Sequence, residues 1–198
     1  MSEQTTPSIT ELADVRFGRA AADQIGYEPS HVDAFMKRAR RADQGRGELT
    51  VSDVRQARFA TVAGGYDTEQ VDDTLDDIED LLAAREREQV TGERGDDEWE
   101  AMLAESIEQL RGRLERAPGE RFRRPSREGA ESYDVEQVDE LCEQITRTLD
   151  AEPGAEGTVS ADDVRRAAFA SAQGDEGYEE AQVDAFLDAT VDVLVRRA

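Results

Sequence analysis

The chain has 198 residues, of which 37% are apolar and 36% are charged, and its net charge is −23. This length suits one or two domains with a modest core. The negative charge disfavours nonspecific nucleic-acid binding and adsorption to anionic lipid, which both depend on lysine and arginine, and it favours solubility and basic partners.

The sequence predicts a tail at the N-terminus and short capped helices at three places along the chain. We expect residues 1–7 to form a flexible tail, because they lack any periodic pattern. Ser8 can cap a short helix, with Glu11 completing a capping box. Thr50 with Asp53, and Ser160 with Asp163, give the same pattern. The sequence therefore predicts three short capped helices.

A Gly-Tyr-Asp motif and its variants define four internal repeats. In each repeat a tyrosine precedes a Val-Asp pair by five residues. Internal repetition of this kind fixes the architecture. The signature residues of repeats one to four are, in order, Tyr27, Val32 and Asp33; Tyr66, Val71 and Asp72; Tyr133, Val138 and Asp139; Tyr178, Val183 and Asp184.

The motif is typical of a helix start. In repeat two, Asp67 is the expected N-cap, Gln70 completes a capping box, and Tyr66 and Val71 form a hydrophobic staple. Gly65 suits a backbone position with positive φ. We expect the aspartate after each valine to lie in an early helical turn, where negative charge suits the helix dipole.

The repeats predict an all-α fold of helical hairpins in two similar halves. Residues 8–90 hold repeats one and two, 91–96 read as a linker, and 97–198 hold an added helix with repeats three and four. In each repeat an apolar stripe at spacings of three and four predicts a long helix. A single repeat cannot bury its stripe alone, so repeats must pack in pairs, within the chain or between chains. The pairwise layout leads us to expect an internal pseudo-dimer.

The repeat unit resembles the DivIVA domain. The family pattern is a Phe, a loop, and Gly-Tyr-Asp-x-x-x-Val-Asp-x-Phe-Leu, which residues 177–187 match most closely. Tandem copies are similar to DivIVA-repeat proteins of high-GC Gram-positive bacteria, and the resemblance covers most of the chain outside residues 1–7 and 86–117. It implies a dimerising module that recognises curved membrane, a long coiled coil, and scaffolding at division sites and poles.

The sequence departs from that pattern in two respects. It has no long coiled coil. Membrane-binding relatives carry an exposed aromatic and a basic residue just before Gly-Tyr. Here the residues are Gln24-Ile25, Ala63-Gly64 and Asp175-Glu176 before the three Gly-Tyr pairs, and Glu131-Ser132 directly before Tyr133. The membrane function that the resemblance implies therefore does not carry over directly.

An arginine-rich segment, Arg111–Arg127, stands out from the acidic chain with seven arginines and two glutamates. One interpretation is a contact with anionic lipid or an acidic partner, with Phe122 as a wedge. The alternative is a solvated loop whose arginines pair with nearby acids, with Phe122 buried as the phenylalanine of its repeat. The candidate contact residues are Arg121, Phe122, Arg123, Arg124 and Arg127.

The sequence offers little for catalysis or metal binding. His31 is the sole histidine and occupies the position where the other repeats have glutamine, which predicts a capping role. Cys142 is the sole cysteine and lies on an apolar stripe, which predicts a core residue. Asp72, Asp73, Asp76 and Asp77 lack the spacing of a calcium-binding loop. We expect no catalytic residue, metal or cofactor.

The sequence thus favours a nonenzymatic, cytoplasmic adaptor or scaffold of bacterial division or polar growth, located at a division site or pole. It would act through protein–protein contacts or self-association, without nucleic acid. The alternative is a peripheral membrane protein that binds through residues 111–127, which requires Phe122 to face solvent.

Overall fold

A computed structural model describes residues 7–127, 130–153 and 155–197. The tail predicted at residues 1–7 lies outside this range except for Pro7. The chain divides into two compact units, which we call the N-terminal unit, up to Glu88, and the C-terminal unit, from Gln89. The N-terminal unit contains repeats one and two, and the C-terminal unit contains repeats three and four.

Helices make up most of the described chain. The α-helices are α1 (Ile9–Ala13), α2 (Pro29–Asp43), α3 (Val51–Arg55), α4 (Thr68–Arg94), α5 (Asp96–Leu114), α6 (Val135–Asp150), α7 (Ala161–Arg165) and α8 (Glu180–Arg197). The capping boxes predicted before α1, α3 and α7 are confirmed. Each helix that the structure describes falls short of the length or the hydrophobicity needed to cross a bilayer.

The all-α prediction is wrong, because the chain is about 60% helical with two small antiparallel sheets. In the N-terminal unit, β1 (Ile25–Tyr27) pairs with β2 (Thr61–Ala63). In the C-terminal unit, β3 (Glu131–Tyr133) lies between β4 (Ser171–Gln173) and β5 (Tyr178–Glu179). Strands of two or three residues are too short to show the apolar alternation by which a strand is recognised.

Residues 91–96, which the sequence predicts to be a linker, are mostly helical. Helix α4 continues through Arg94, and only Gly95, with a φ of 90°, separates it from α5. Gly92 lies inside α4, where a glycine costs only about 1 kcal/mol relative to alanine. Such a cost is too small to end a long helix.

Each unit has its own hydrophobic core, built from the predicted stripes. In the N-terminal unit, Val32, Met36, Val71 and Ile78 are buried with α1 residues. In the C-terminal unit the core includes Leu110 and Leu114 of the added helix α5. The core residues shared by all signatures are the four valines, Val32, Val71, Val138 and Val183, each at most 1% exposed.

Candidate functional site

Aromatic contacts cross between the two repeats of each unit. Phe17 of repeat one packs on Tyr66 of repeat two at a centroid distance of 5.4 Å, and Phe59 of repeat two packs on Tyr27 of repeat one at 5.3 Å. The C-terminal unit repeats this exchange, with the pairs Phe122–Tyr178 and Tyr133–Phe169, both at 5.2 Å. Each phenylalanine therefore contacts the tyrosine of the other repeat in its unit.

The residue after each phenylalanine is held by two hydrogen bonds from the other repeat. Gly18 donates its N–H to Gln70 Oε1 at 2.9 Å, and its carbonyl accepts from Asp67 N at 3.0 Å. In the reverse direction, Ala60 N donates to His31 Nδ1 at 3.2 Å, and Ala60 O accepts from Glu28 N at 2.7 Å. We call this two-bond arrangement the crossed clamp.

The crossed clamp recurs in the C-terminal unit. Ala170 N donates to Gln137 Oε1 at 2.8 Å, and Arg123 N donates to Gln182 Oε1 at 3.3 Å. The carbonyls of Ala170 and Arg123 each accept a backbone N–H at 2.9 Å, from Asp134 and Glu179 respectively. All four repeats thus use the same contact.

The crossed clamp corrects the capping-box prediction for the long helices. Asp67 does cap α4, since Gln70 N donates to Asp67 Oδ1 at 3.0 Å. The side chain of Gln70, however, reaches across to Gly18 and not back to its own N-cap. His31 likewise binds Ala60 of the other repeat. These positions join repeats to each other, which a pattern read within one repeat could not indicate.

The signature tyrosines and aspartates also pair across repeats. Tyr27 donates its hydroxyl to Asp72 at 3.4 Å, and Tyr66 donates to Asp33 at 3.2 Å. Burial, with the neighbouring carboxylate, raises the pKa of both tyrosines. The C-terminal unit repeats the pairing, as Tyr178 with Asp139 and Tyr133 with Asp184. The aspartates after each valine therefore anchor the partner repeat, in addition to their place in the early helix.

Two glycines allow the N-terminal repeats to meet backbone to backbone. Tyr27 N donates to Tyr66 O at 2.9 Å, and Tyr66 N donates to Tyr27 O at 2.8 Å. A Cβ on Gly65 would lie 2.6 Å from Gly26 backbone atoms. The positive φ expected at Gly65 is found instead at Gly64, with a φ of 65°. Gly65 is required for close approach, not for its dihedral angle.

In the C-terminal unit the Tyr–Asp pair is buried with an arginine. Arg121 Nη1 lies 3.0 Å from Asp139 Oδ1, and these side chains are 7% and 9% exposed. Tyr178 donates to both Asp139 oxygens at 3.1 Å, and Gly119 N donates to Asp139 Oδ2 at 2.6 Å. The Asp139 carboxylate thus has several donors, which is what a buried charge requires.

The five residues of the candidate anionic contact differ in exposure, so they do not form one exposed surface. Arg121 and Phe122 are buried, and Phe122 packs against both Tyr178 and Phe186. Phe122 therefore cannot act as a wedge from this position. The Arg124 guanidinium donates to the Glu176 carbonyl at 2.6 Å and lies over the Tyr178 ring. Of the five candidate residues, only Arg123 and Arg127 are exposed.

A groove of about 700 Å³ lies between α5 and α8. Its floor consists of buried side chains, including Leu110, Phe186 and Val193. One wall presents exposed alanines of α8 at every fourth position, Ala181, Ala185 and Ala189. The small side chains leave room above the apolar floor. We call this cavity the α5–α8 groove.

Three arginines converge at one end of the α5–α8 groove. Arg113 and Arg116 both donate to the Arg121 carbonyl, at 3.0 Å and 3.5 Å. Partial burial, with the charges of Arg116 and Arg123, lowers the pKa of the Arg113 guanidinium. Arg123 lies 3.9 Å from Glu179. Within the described residues, Arg113 and Arg116 form no ion pair with a carboxylate.

The remaining candidate residues have structural roles. Cys142 is buried, and burial raises the pKa of its thiol to about 12, which disfavours the reactive thiolate. The described part of the chain holds no cluster of three or more His, Cys, Asp or Glu side chains arranged for a metal. The aspartates near Asp72 and Asp73 therefore form no such cluster.

The sequence did not predict the contacts of the crossed clamp or the groove. The crossed clamp uses only the backbone of the residue after each phenylalanine, so that residue can be of any type. The four residues are Gly18, Ala60, Arg123 and Ala170. Arg113 and Arg116 lay inside the Arg-rich segment but outside the chosen contact residues; their helical spacing of three was the available signal.

In comparisons with known proteins, the chain matches no family model, no curated protein and no solved structure.

Proposed function

We propose that this chain is a nonenzymatic DivIVA-like adaptor or scaffold of bacterial cell division or polar growth, acting in the cytoplasm through protein–protein contacts. The observation that carries the proposal is the set of Tyr–Asp and Phe–Tyr contacts between the two repeats of each unit. The residues on which the DivIVA resemblance rests are the same residues that join repeats one and two, and repeats three and four. The repeated motif therefore builds interaction modules rather than a reaction centre.

The pairing within each unit supports an adaptor with internal pairs. Each tyrosine, phenylalanine and clamp residue of one repeat has its counterpart in the same chain. A single-repeat protein would need a second chain to make these contacts. This chain makes them alone, and its strongly acidic helix faces remain for partners.

The alternative, a peripheral membrane protein, has less support. It requires Phe122 to face solvent, and Phe122 is 4% exposed. Two of the four candidate arginines remain exposed, Arg123 and Arg127. Flotation with anionic liposomes tests this alternative directly, with Arg123→Glu/Arg127→Glu as the matched variant. Salt-sensitive flotation that the double variant abolishes would favour the membrane protein over the adaptor.

The adaptor proposal is tested by localisation in the source bacterium. We expect a fluorescent fusion to concentrate at division sites or poles. Depletion of the protein should alter septum placement or polar growth. A matched fusion carrying Asp139→Ala, which breaks the buried pair with Arg121, should lose this localisation. A fusion that stays diffuse, with normal division after depletion, would overturn the proposal.

A further inference from the structure

We infer that the α5–α8 groove binds an acidic amphipathic helix of a partner protein. The inference rests on the proposed adaptor function and names the chemistry of the partner. The helix would lay an apolar face on Leu110, Phe186 and Val193, and it would place carboxylates beside Arg113, Arg116 and Arg123.

The dimensions of the groove match a short helix. It follows α8 from Ala181 to Val193, and twelve residue steps at the α-helical rise give a length of about 18 Å. That length fits about three turns of a second helix. Helix-in-groove recognition uses apolar anchors at such a surface. The alanine wall of α8 lets the backbone of a docked helix come close, as small residues do at helix contacts generally.

Charge selects the occupant. The groove concentrates three arginines in a chain whose net charge is −23. Arg113 and Arg116 are turned toward a backbone carbonyl, a weaker partner for a guanidinium than a carboxylate. A carboxylate from a bound helix would complete the geometry that guanidinium groups favour, with two parallel hydrogen bonds. An acidic segment is therefore preferred over a basic one.

The other end of the groove carries an acidic side chain. Asp192 lines it and lies 3.1 Å from Arg196 Nε. A docked helix with its carboxylates at the Asp192 end would meet like charge there. The polarity of the groove therefore also sets the direction in which the helix lies, with its acidic end at the start of α8.

The probe for this inference is a labelled helical peptide of about 12 residues, matched to the length of the groove. One face carries leucine and alanine, and one end carries glutamates. Two matched peptides replace the glutamates with lysines, or scramble the sequence to remove the apolar face. Fluorescence anisotropy against the full chain gives the affinities. We expect the glutamate peptide to bind at least about tenfold more tightly than either control, and binding to weaken as salt rises.

Variants of the full chain locate the binding. Ala185→Trp fills the groove from an exposed position, and Ala34→Trp is its matched control at the equivalent exposed position of repeat one. Arg113→Glu/Arg116→Glu reverses the charge. We expect Ala185→Trp and the double variant each to lose about tenfold or more in affinity, whereas Ala34→Trp keeps the wild-type value. Circular dichroism checks that each variant is folded.

Several results would overturn the inference. They are equal binding of the glutamate and lysine peptides, binding unchanged by Ala185→Trp, and failure of every peptide to bind. Self-association that Ala185→Trp abolishes would assign the groove to a second copy of this chain instead. If no peptide binds but the fusion protein still concentrates at the septum, the groove is not a binding site and the adaptor function stands. If the peptide binds but the fusion protein stays diffuse in the cell, the groove is a binding site and the proposed role in division is wrong.

Discussion

The two units use one crossed architecture with different chemistry at its centre. In the N-terminal unit, Tyr66 pairs with Asp33, and Arg16, just before the phenylalanine, is exposed. In the C-terminal unit the equivalent pair is Tyr178 with Asp139, and the equivalent arginine, Arg121, is buried against the carboxylate. Crossed hydrogen bonds are therefore sufficient to pair two repeats, and the ion pair beside the tyrosine is an addition in the C-terminal unit.

The contrast has a physical cause in the surrounding elements. Phe122 is buried among Tyr178 and Phe186, and the segment just after α5 places Gly119 within hydrogen-bond distance of Asp139. The N-terminal unit has the short helix α1 where the C-terminal unit has α5. Added helical cover removes water from the pair, and a charge pair out of water depends strongly on its partners.

The largest effect should come from breaking the buried pair. Asp139→Ala leaves the Arg121 charge buried without its carboxylate, and we expect a loss of about 3–5 kcal/mol in the free energy of unfolding. The matched change Asp33→Ala removes one exposed hydrogen bond and should cost about 1 kcal/mol or less. Urea unfolding followed by Trp99 fluorescence reports on the C-terminal unit, and circular dichroism reports on both. Equal losses would contradict the difference drawn between the units.

A smaller effect should come from the close backbone approach in the N-terminal unit. Gly65→Ala places a Cβ 2.5 Å from Tyr27 O, and we expect a loss of about 1–3 kcal/mol from overpacking. Gly47→Ala is the control, because that position has open space and needs no unusual φ. Thermal unfolding by circular dichroism measures both. Equal stability of Gly65→Ala and wild type would show that the strands separate without cost.

Alkaline pH should distinguish the units through their tyrosines. Burial, with the nearby aspartates, raises the pKa of Tyr133 and Tyr178 to about 12, from an ordinary value of 10.0. A raised folded-state pKa gives stability that is full below pH 10 and lost as pH rises toward 12. We expect the unfolding midpoint of the C-terminal unit to fall through that window. In Tyr133→Phe the midpoint should fall less with pH. A wild-type midpoint that does not change between pH 10 and 12 would show that these tyrosines do not link stability to pH.

The helices could be read from the sequence because their determinants are local. Ser8, Thr50 and Ser160 each form the expected capping box with a residue three positions later. The apolar stripes led to the cores of both units. Each of these features depends on residues within a few positions of one another.

The strands and the candidate site could not be read in the same way. β1 and β2 are separated by α2 and α3 and pair across repeats, so no short window contains both partners. The clamp at Gly18 and Ala60 uses backbone atoms, which leave no residue type to recognise. The burial of Arg121 depends on Asp139 and Tyr178, and its sequence neighbours Arg123 and Arg127 are exposed. Composition alone placed all three arginines in one surface.

The smallest effect tests how the C-terminal unit accommodates a side chain where the N-terminal unit has a glycine. Ser132 takes the place of Gly26, and its Cβ fits because Gly177 lies opposite. Its buried hydroxyl has no hydrogen-bond partner among the described residues, and an unpaired buried hydroxyl costs about 1–3 kcal/mol. Ser132→Ala keeps the Cβ and removes that cost, so we expect a gain of about 1 kcal/mol.

Ser160→Ala is the matched control for this last change, because it removes a hydroxyl that accepts from Asp163 N at 3.1 Å. It should lower stability by about 1 kcal/mol, as the loss of an N-cap does. Both variants are measured by urea unfolding with Trp99 fluorescence. Opposite signs would show that the same deletion stabilises or destabilises the C-terminal unit according to whether the hydroxyl has a partner. A loss in Ser132→Ala would mean that its hydroxyl is satisfied in solution, and that the serine is part of the contact between repeats three and four.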